Sequence, residues 1–257
     1  MNENRQFDNE PAPRTRDRLF GWLLLLLPHH LLSQLMYWIT RIEWPPFKDW
    51  LINRVIRIYR VDISQAESPH LRDYKHFNAF FTRALRSDLR PVAQEPNAVV
   101  SPVDGTVSQL GTISGGRIFQ AKGQDYTLAE LLGGESRWSE LFEDGEFATV
   151  YLSPRDYHRI HMPLSGNLVQ MSHIPGRLFS VSPATTRVVP RLFSRNERIV
   201  NIFETEVGPA ALIMVGAIFV AGMDTAWAGT VAPRSRGLSH WRYGNEAQPS
   251  VSLDKGV

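Results

Sequence analysis

From about Ala98 onward the chain is broken every few residues by Gly, Pro or Asn, and the runs between are rich in Val, Ile, Phe and Thr. This texture constrains the fold more than any other feature. It predicts strands over residues 98–101, 106–111, 117–120, 148–152, 166–173, 198–204, 210–220 and 225–230. Strands at this density, with no long helical period between them, require a mostly antiparallel or mixed β-sheet core. One short helix fits residues 128–132, with Thr127 as N-cap and Gly133-Gly134 closing it. Gly115-Gly116, between two strand signals, reads as a hairpin turn. The sequence contains no internal repeat, no low-complexity tract and no phosphate-cradling Gly-rich loop.

The N-terminal part has a different pattern. Residues 1–18 are polar, contain Pro11 and Pro13, and read as a disordered tail. The apolar run at 19–27 is about nine residues long, against the roughly twenty of a membrane span. Arg14, Arg16 and Arg18 precede it as in a signal peptide, but Pro28-His29-His30 offers no small-residue cleavage site and hydrophobicity resumes at Leu31. Residues 19–27 and 31–41 therefore read as two amphipathic helices, followed by others at 47–59 and 78–85. Trp22, Trp38, Trp44 and Trp50 lie among basic residues, a pattern that suits a helix in the headgroup interface. The competing reading packs these helices on the protein's own core. Five consecutive leucines, Leu23 to Leu27, leave no polar face and favour the membrane. Arg83, Arg86 and Arg90 either meet anionic phosphates or form a solvated face. The expected class is α+β, N-terminal amphipathic helices followed by the β core. Its expected parts are a tail (1–18), a helical membrane-associating region (19–95) and a β-rich catalytic domain (96–257).

The absence of cysteine excludes disulfides, Cys-ligated zinc, iron–sulfur clusters and a thiol nucleophile. A net charge of +2 gives no bulk attraction for nucleic acid. The densest polar group is YLSPRDYHRIHMP, residues 151–163, where His158 and His161 stand among Arg155, Asp156 and Arg159. Three readings are open for that pair: proton transfer, metal ligation and a buried structural cluster. Metal lacks a specified third ligand. Asp104, in an Asp-Gly turn, is by itself a turn residue. An Asp–His pair such as Asp104 and His161 could activate a serine, although no Gly-x-Ser-x-Gly elbow occurs and no serine is singled out.

In order along the chain, SPVDGTVSQLG (101–111), QAKG (120–123), YTL (126–128), the segment 151–163, PGRLFSV (175–181), LFSRNER (192–198), VGA (215–217) and AWAGT (226–230) resemble the phosphatidylserine decarboxylases. The resemblance runs from about Arg54 to the C-terminus and is closest to the bacterial enzymes. It implies a proenzyme cleaved by an Asp–His–Ser triad at a Gly-Ser bond. The serine becomes a pyruvoyl group on a small companion (α) chain. That pyruvoyl cofactor forms a Schiff base with phosphatidylserine, and loss of CO₂ gives phosphatidylethanolamine. By position Asp104 and His161 match the triad, and His158 the histidine implicated in decarboxylation; no metal is implied. The implied partners are the small chain, an anionic phospholipid membrane with its phosphatidylserine, and a second αβ unit in a homodimer. The implied location is peripheral, on the cytoplasmic face of the bacterial inner membrane.

One departure stands out. The family's Leu-Gly-Ser-Thr segment is absent, and Ser250 and Ser252 do not follow a glycine. The expectation is a large (β) chain, or a chain stopping before the serine, inactive alone. Two alternatives remain: a non-catalytic lipid-binding relative, and a metal-dependent hydrolase using His158 and His161.

Overall fold

The computed structural model describes residues 27–121, 124–220, 222–232 and 237–257. The expected tail at 1–18 and nearly all of the helix at 19–27 lie outside the described residues. The fold is α+β with antiparallel pairing between its strands. The chain divides into two compact units.

The first unit holds Val107–Thr149 and Asn167–Val251 with the described residues up to Ser33. Its sheet has the strand order β10 (Ser239–Arg242), β5 (Gly166–Ile174), β6 (Arg198–Thr205), β7 (Gly208–Val215), each antiparallel to its neighbour. Six successive residues of β6, from Arg198 to Phe203, are buried, as expected of a strand covered on both faces. The period-2 alternation sends Ile199 to one cluster with Met171, Met223 and Val231. It sends Val200 and Ile202 to the other, with Ile118, Leu131 and Trp138. Burial of each such side chain stabilises by about 1.5–3 kcal/mol.

Around this sheet lie β1 (Thr106–Thr112), paired with β4 (Glu146–Tyr151), and the hairpin of β2 (Arg117–Ala121) and β3 (Gln124–Thr127). Gly115 and Gly116 both have positive φ in the turn before β2, which is why the sequence spends two glycines there. The helix Leu128–Leu131 opens on a capping box. Thr127 Oγ1 accepts from Glu130 N, and Glu130 Oε2 accepts from Thr127 N. A second helix, Ser136–Leu141, was not anticipated from the sequence.

The second unit comprises Gln34–Thr106, Val150–Gly166 and Ser252–Val257. Helix α2 (Pro45–Tyr59) starts with two prolines, whose missing N–H groups cost nothing at a helix start. It ends at Arg60, which takes a left-handed conformation, φ 56°. Ile52 packs with Val61, Tyr74 and Phe80. The short helix α3 (Phe77–Phe81) is capped by His76, whose Nδ1 accepts from Ala79 N at 3.0 Å. The preceding helix α1 (His29–Ile39) leaves Leu31, Leu35 and Trp38 exposed at helical spacing.

Three sequence expectations are corrected. Residues 98–101 form no strand: Val100 N donates to Pro163 O at 3.1 Å, but a proline has no N–H to return. Residues 225–230 are a hairpin, β8 (Met223–Thr225) and β9 (Gly229–Ala232), turning where Thr225 Oγ1 accepts from Ala228 N. The strand expected to reach residue 220 stops at Val215, because Gly216 leads into a turn closed between Ala217 and Val220.

Candidate active site

All three sequence-predicted residues, Asp104, His158 and His161, lie in the second unit. The segment 151–163 leaves β4 through a turn built by its own side chains. Asp156 Oδ2 accepts from both the N and the Oγ of Ser153 at 2.7 Å, and Asp156 N donates to Ser153 O. Pro154 presets the backbone at the turn's second position. Beyond the turn the chain is held by backbone hydrogen bonds. His161 N donates to Pro102 O, Met162 N to Val257 O, and Gly256 N to Met162 O, each at 2.8 Å. His161 is thus held between a stretch before it in sequence and one far after it.

Both ring nitrogens of His161 are engaged. Nδ1 lies 3.1 Å from Gly256 O. A carbonyl only accepts, so Nδ1 carries a proton, and in the neutral ring Nε2 presents its lone pair. Nε2 takes a hydrogen bond from the Tyr157 hydroxyl at 3.0 Å, with the two rings stacked. The imidazole is therefore in the tautomer a general base needs, with a hydroxyl already on its basic nitrogen. Gly256 sits at φ +87°, and a Cβ there would lie 2.5 Å from Val92 Cγ2. Only glycine fits the backbone that delivers this carbonyl.

Asp104 does not hydrogen-bond to His161. Its carboxylate is gripped by Arg90, with Nε at 2.8 and 3.1 Å and Nη2 at 2.5 Å. That guanidinium is the main reason the Asp104 carboxyl lies below its ordinary value; partial burial opposes it, and His161 and Arg83 assist. Gly105 allows the turn to press on β4: a Cβ would stand 2.6 Å from Tyr151 O and 2.9 Å from Val150 Cγ1.

His158 is in a different setting. Its Nδ1 bonds Asp156 O at 2.8 Å, and its ring lies 4.0 Å from that of Phe81. Burial pushes its pKa down, Arg83 adds to that, and the bond to Asp156 O opposes it. The neutral ring, protonated at Nδ1, offers Nε2 as an acceptor. The two histidines thus differ in their hydrogen-bond partners.

Beside Asp104 and Tyr157 opens a cleft of about 190 Å³, lined also by Arg60, Arg83, Arg90 and Arg155. Arg86, grouped with Arg83 and Arg90 in the sequence, instead pairs with Asp88 in solvent. Among the described residues no group of three or more His, Asp or Glu is placed to hold a metal ion. Sequence reasoning missed Tyr157, Gly256 and Arg60. Tyr157 carried a signal, since it stands four residues before His161 in the same motif. A backbone carbonyl from residue 256 carried none.

Residues 77–256 match the family model described as phosphatidylserine decarboxylase, and residues 19–60 match a second, described as PSD. The chain is 54% identical over 242 residues to the phosphatidylserine decarboxylase proenzyme of Pseudomonas aeruginosa (strain LESB58), covering 94% of this chain and 84% of that one. The proenzyme of Azotobacter vinelandii is 52% identical over the same share of this chain and 85% of its own. That of Bordetella pertussis is 51% identical, over 94% and 82%.

Proposed function

This chain belongs to the phosphatidylserine decarboxylase family, and from that premise we propose how its residues divide the work. It is an enzyme, a carboxy-lyase that converts phosphatidylserine to phosphatidylethanolamine and CO₂. The observation that carries the division of labour is the pair of contacts on His161, Gly256 O at Nδ1 and the Tyr157 hydroxyl at Nε2.

In the proenzyme, His161 Nε2 takes the proton of the serine hydroxyl at the cleavage site. Tyr157 holds that nitrogen until the serine replaces it. Asp104 supplies negative charge to the imidazolium that forms, and Arg90 keeps that carboxylate ionised. A nucleophile–base pair of this kind suits the making of a pyruvoyl group from serine. An acceptor nitrogen already facing a hydroxyl fits the residues present to that group. A pyruvoyl group supplies an electron-poor carbonyl that draws off the electron pair left when CO₂ departs.

His158 serves the lipid reaction. The substrate amine is an ammonium in water and must lose a proton before it can act as a nucleophile. A buried imidazole of lowered pKa is neutral at pH 7 and accepts that proton at Nε2. The imidazolium then returns a proton to the carbon that has lost CO₂. One ring thus balances both transfers.

Among the described residues no helix is long and apolar enough to cross a membrane. We read the exposed Leu31, Leu35 and Trp38 of α1 as lying in the headgroup region of the cytoplasmic face of the bacterial inner membrane. The working unit is the large chain with its pyruvoyl-bearing small chain, paired as a homodimer. Intact-mass analysis of the matured protein, with release of CO₂ from carboxyl-labelled phosphatidylserine in mixed micelles, tests the reading. A pyruvoyl-blocked small chain and CO₂ release are expected; an uncleaved, inactive protein overturns it.

A further inference from the structure

The cleft beside Asp104 holds guanidiniums besides the Arg90 that the proposed maturation step uses. Its acidic side chains are already engaged. Asp62 accepts from Ser64 N and Oγ and from Gln65 Nε2. Asp104 is held by Arg90, and Asp156 by Ser153. Two of the guanidiniums have no such partner. Arg60, exposed at the left-handed end of α2, has no carboxylate partner among the described residues. Arg83 is only 5% exposed, yet its Nε has no hydrogen-bond partner, and Nη2 makes a single long contact, 3.5 Å, to Arg155 O. A buried, under-bonded guanidinium is costly unless an anion completes it.

We propose that this cleft binds the phosphodiester of the lipid headgroup, with Arg83 and Arg60 as its principal donors. The inference rests on the decarboxylase reading and assigns the headgroup's two anionic groups to different places. A carboxylate gripped by arginines would be stabilised in the ground state and would lose CO₂ more slowly. The phosphate keeps its charge throughout the reaction, so binding it lowers KM without opposing the chemical step. A planar donor fork suits phosphate oxygens. The cleft's walls include Asp104 and Tyr157, so a phosphate seated there leaves the serine end of the headgroup near the residues of the proposed site.

The test uses the matured enzyme with phosphatidylserine in mixed micelles, and the variants Arg60→Gln and Arg83→Gln. Arg60→Gln is expected to raise KM about 10-fold or more with kcat within about threefold, and Arg83→Gln to raise KM by a similar factor. Self-cleavage of each variant serves as the folding control. If Arg83→Gln fails to mature, Arg60→Gln, at an exposed position, decides. Glycerophosphoserine and inorganic phosphate are the competing probes. Competition by glycerophosphoserine at concentrations about tenfold below inorganic phosphate, lost in the variants, supports the headgroup as the source. Equal competition by the two marks a free-phosphate site and overturns the assignment. Unchanged KM in a matured variant also overturns it, whereas a wild-type enzyme that releases no CO₂ would refute the decarboxylase reading instead.

Discussion

Asn196 is fully buried, and its amide makes three hydrogen bonds to backbone. Nδ2 donates to Phe179 O at 2.9 Å and to Gly216 O at 2.8 Å, while Oδ1 accepts from Phe179 N at 3.0 Å. The side chain thus splices the loop that carries the buried Phe179 to the turn following β7. Asn196→Ala leaves one N–H and two carbonyls without partners. Each lost bond is worth about 1 kcal/mol net, and a buried group left unsatisfied costs about 1–3 kcal/mol. Partial relaxation places the expected loss at about 3–5 kcal/mol, a large share of the roughly 5–15 kcal/mol that holds a typical domain together. Urea denaturation followed by tryptophan fluorescence measures it, because Trp138 is buried in the same unit. Asn196→Asp separates mechanisms. It keeps the acceptor for Phe179 N but sets carboxylate oxygens against two carbonyls, so it is expected to be no better than alanine. A loss below about 1 kcal/mol for alanine, or an aspartate variant close to wild type, would refute the reasoning.

In the serine-bearing proenzyme, His161→Ala is expected to abolish self-cleavage, and His158→Ala to leave cleavage but impair CO₂ release; gel analysis of the two chains and a CO₂ assay separate them. Tyr157→Phe keeps the ring stacking and loses the bond to Nε2, so maturation is expected to continue with its rate changed less than about tenfold. Because its folded-state pKa is depressed, His158 contributes stability that is full above about 6.5 and is lost as pH falls towards the folded value. Urea midpoints of wild type and His158→Gln between pH 5 and 8 are expected to converge at the acid end. Asp104 obeys the same sign below its ordinary 3.8, and Arg90→Gln is expected to raise its titration, read by NMR of the carboxyl carbon. Leu35→Ser combined with Trp38→Ser is expected to weaken binding to anionic vesicles about tenfold or more, measured by sedimentation.

Much of the fold was legible because period and punctuation act locally. Thr127 capped its helix, Gly115-Gly116 turned, and the run 198–204 became the buried central strand. What escaped depended on partners distant in sequence. Residues 98–101 have strand composition, but their opposite number is a proline. The alternation in 225–230 concealed a hairpin, because Gly229 supplies a left-handed turn that a composition window averages away. At the site, residue types were readable and partners were not. The motif set His158 and His161 side by side, but the partners that distinguish them are Asp156 O and Gly256 O, main-chain atoms that leave no mark in a motif. Arg90 is one of three arginines that read as either meeting phosphates or facing solvent, and its pairing with Asp104 distinguishes it from Arg86.

The Gly256 carbonyl on His161 Nδ1 makes the orientation of that imidazole independent of the Asp104 side chain. In a triad where the carboxylate alone fixes the tautomer, replacing it by an amide turns the imidazole the wrong way and confuses loss of charge with loss of geometry. Here the peptide backbone holds the ring, so replacing Asp104 removes charge and leaves the tautomer standing. In the proposed maturation step, the cost of that substitution therefore reads the carboxylate's charge, with its pairing to Arg90, and no change of tautomer.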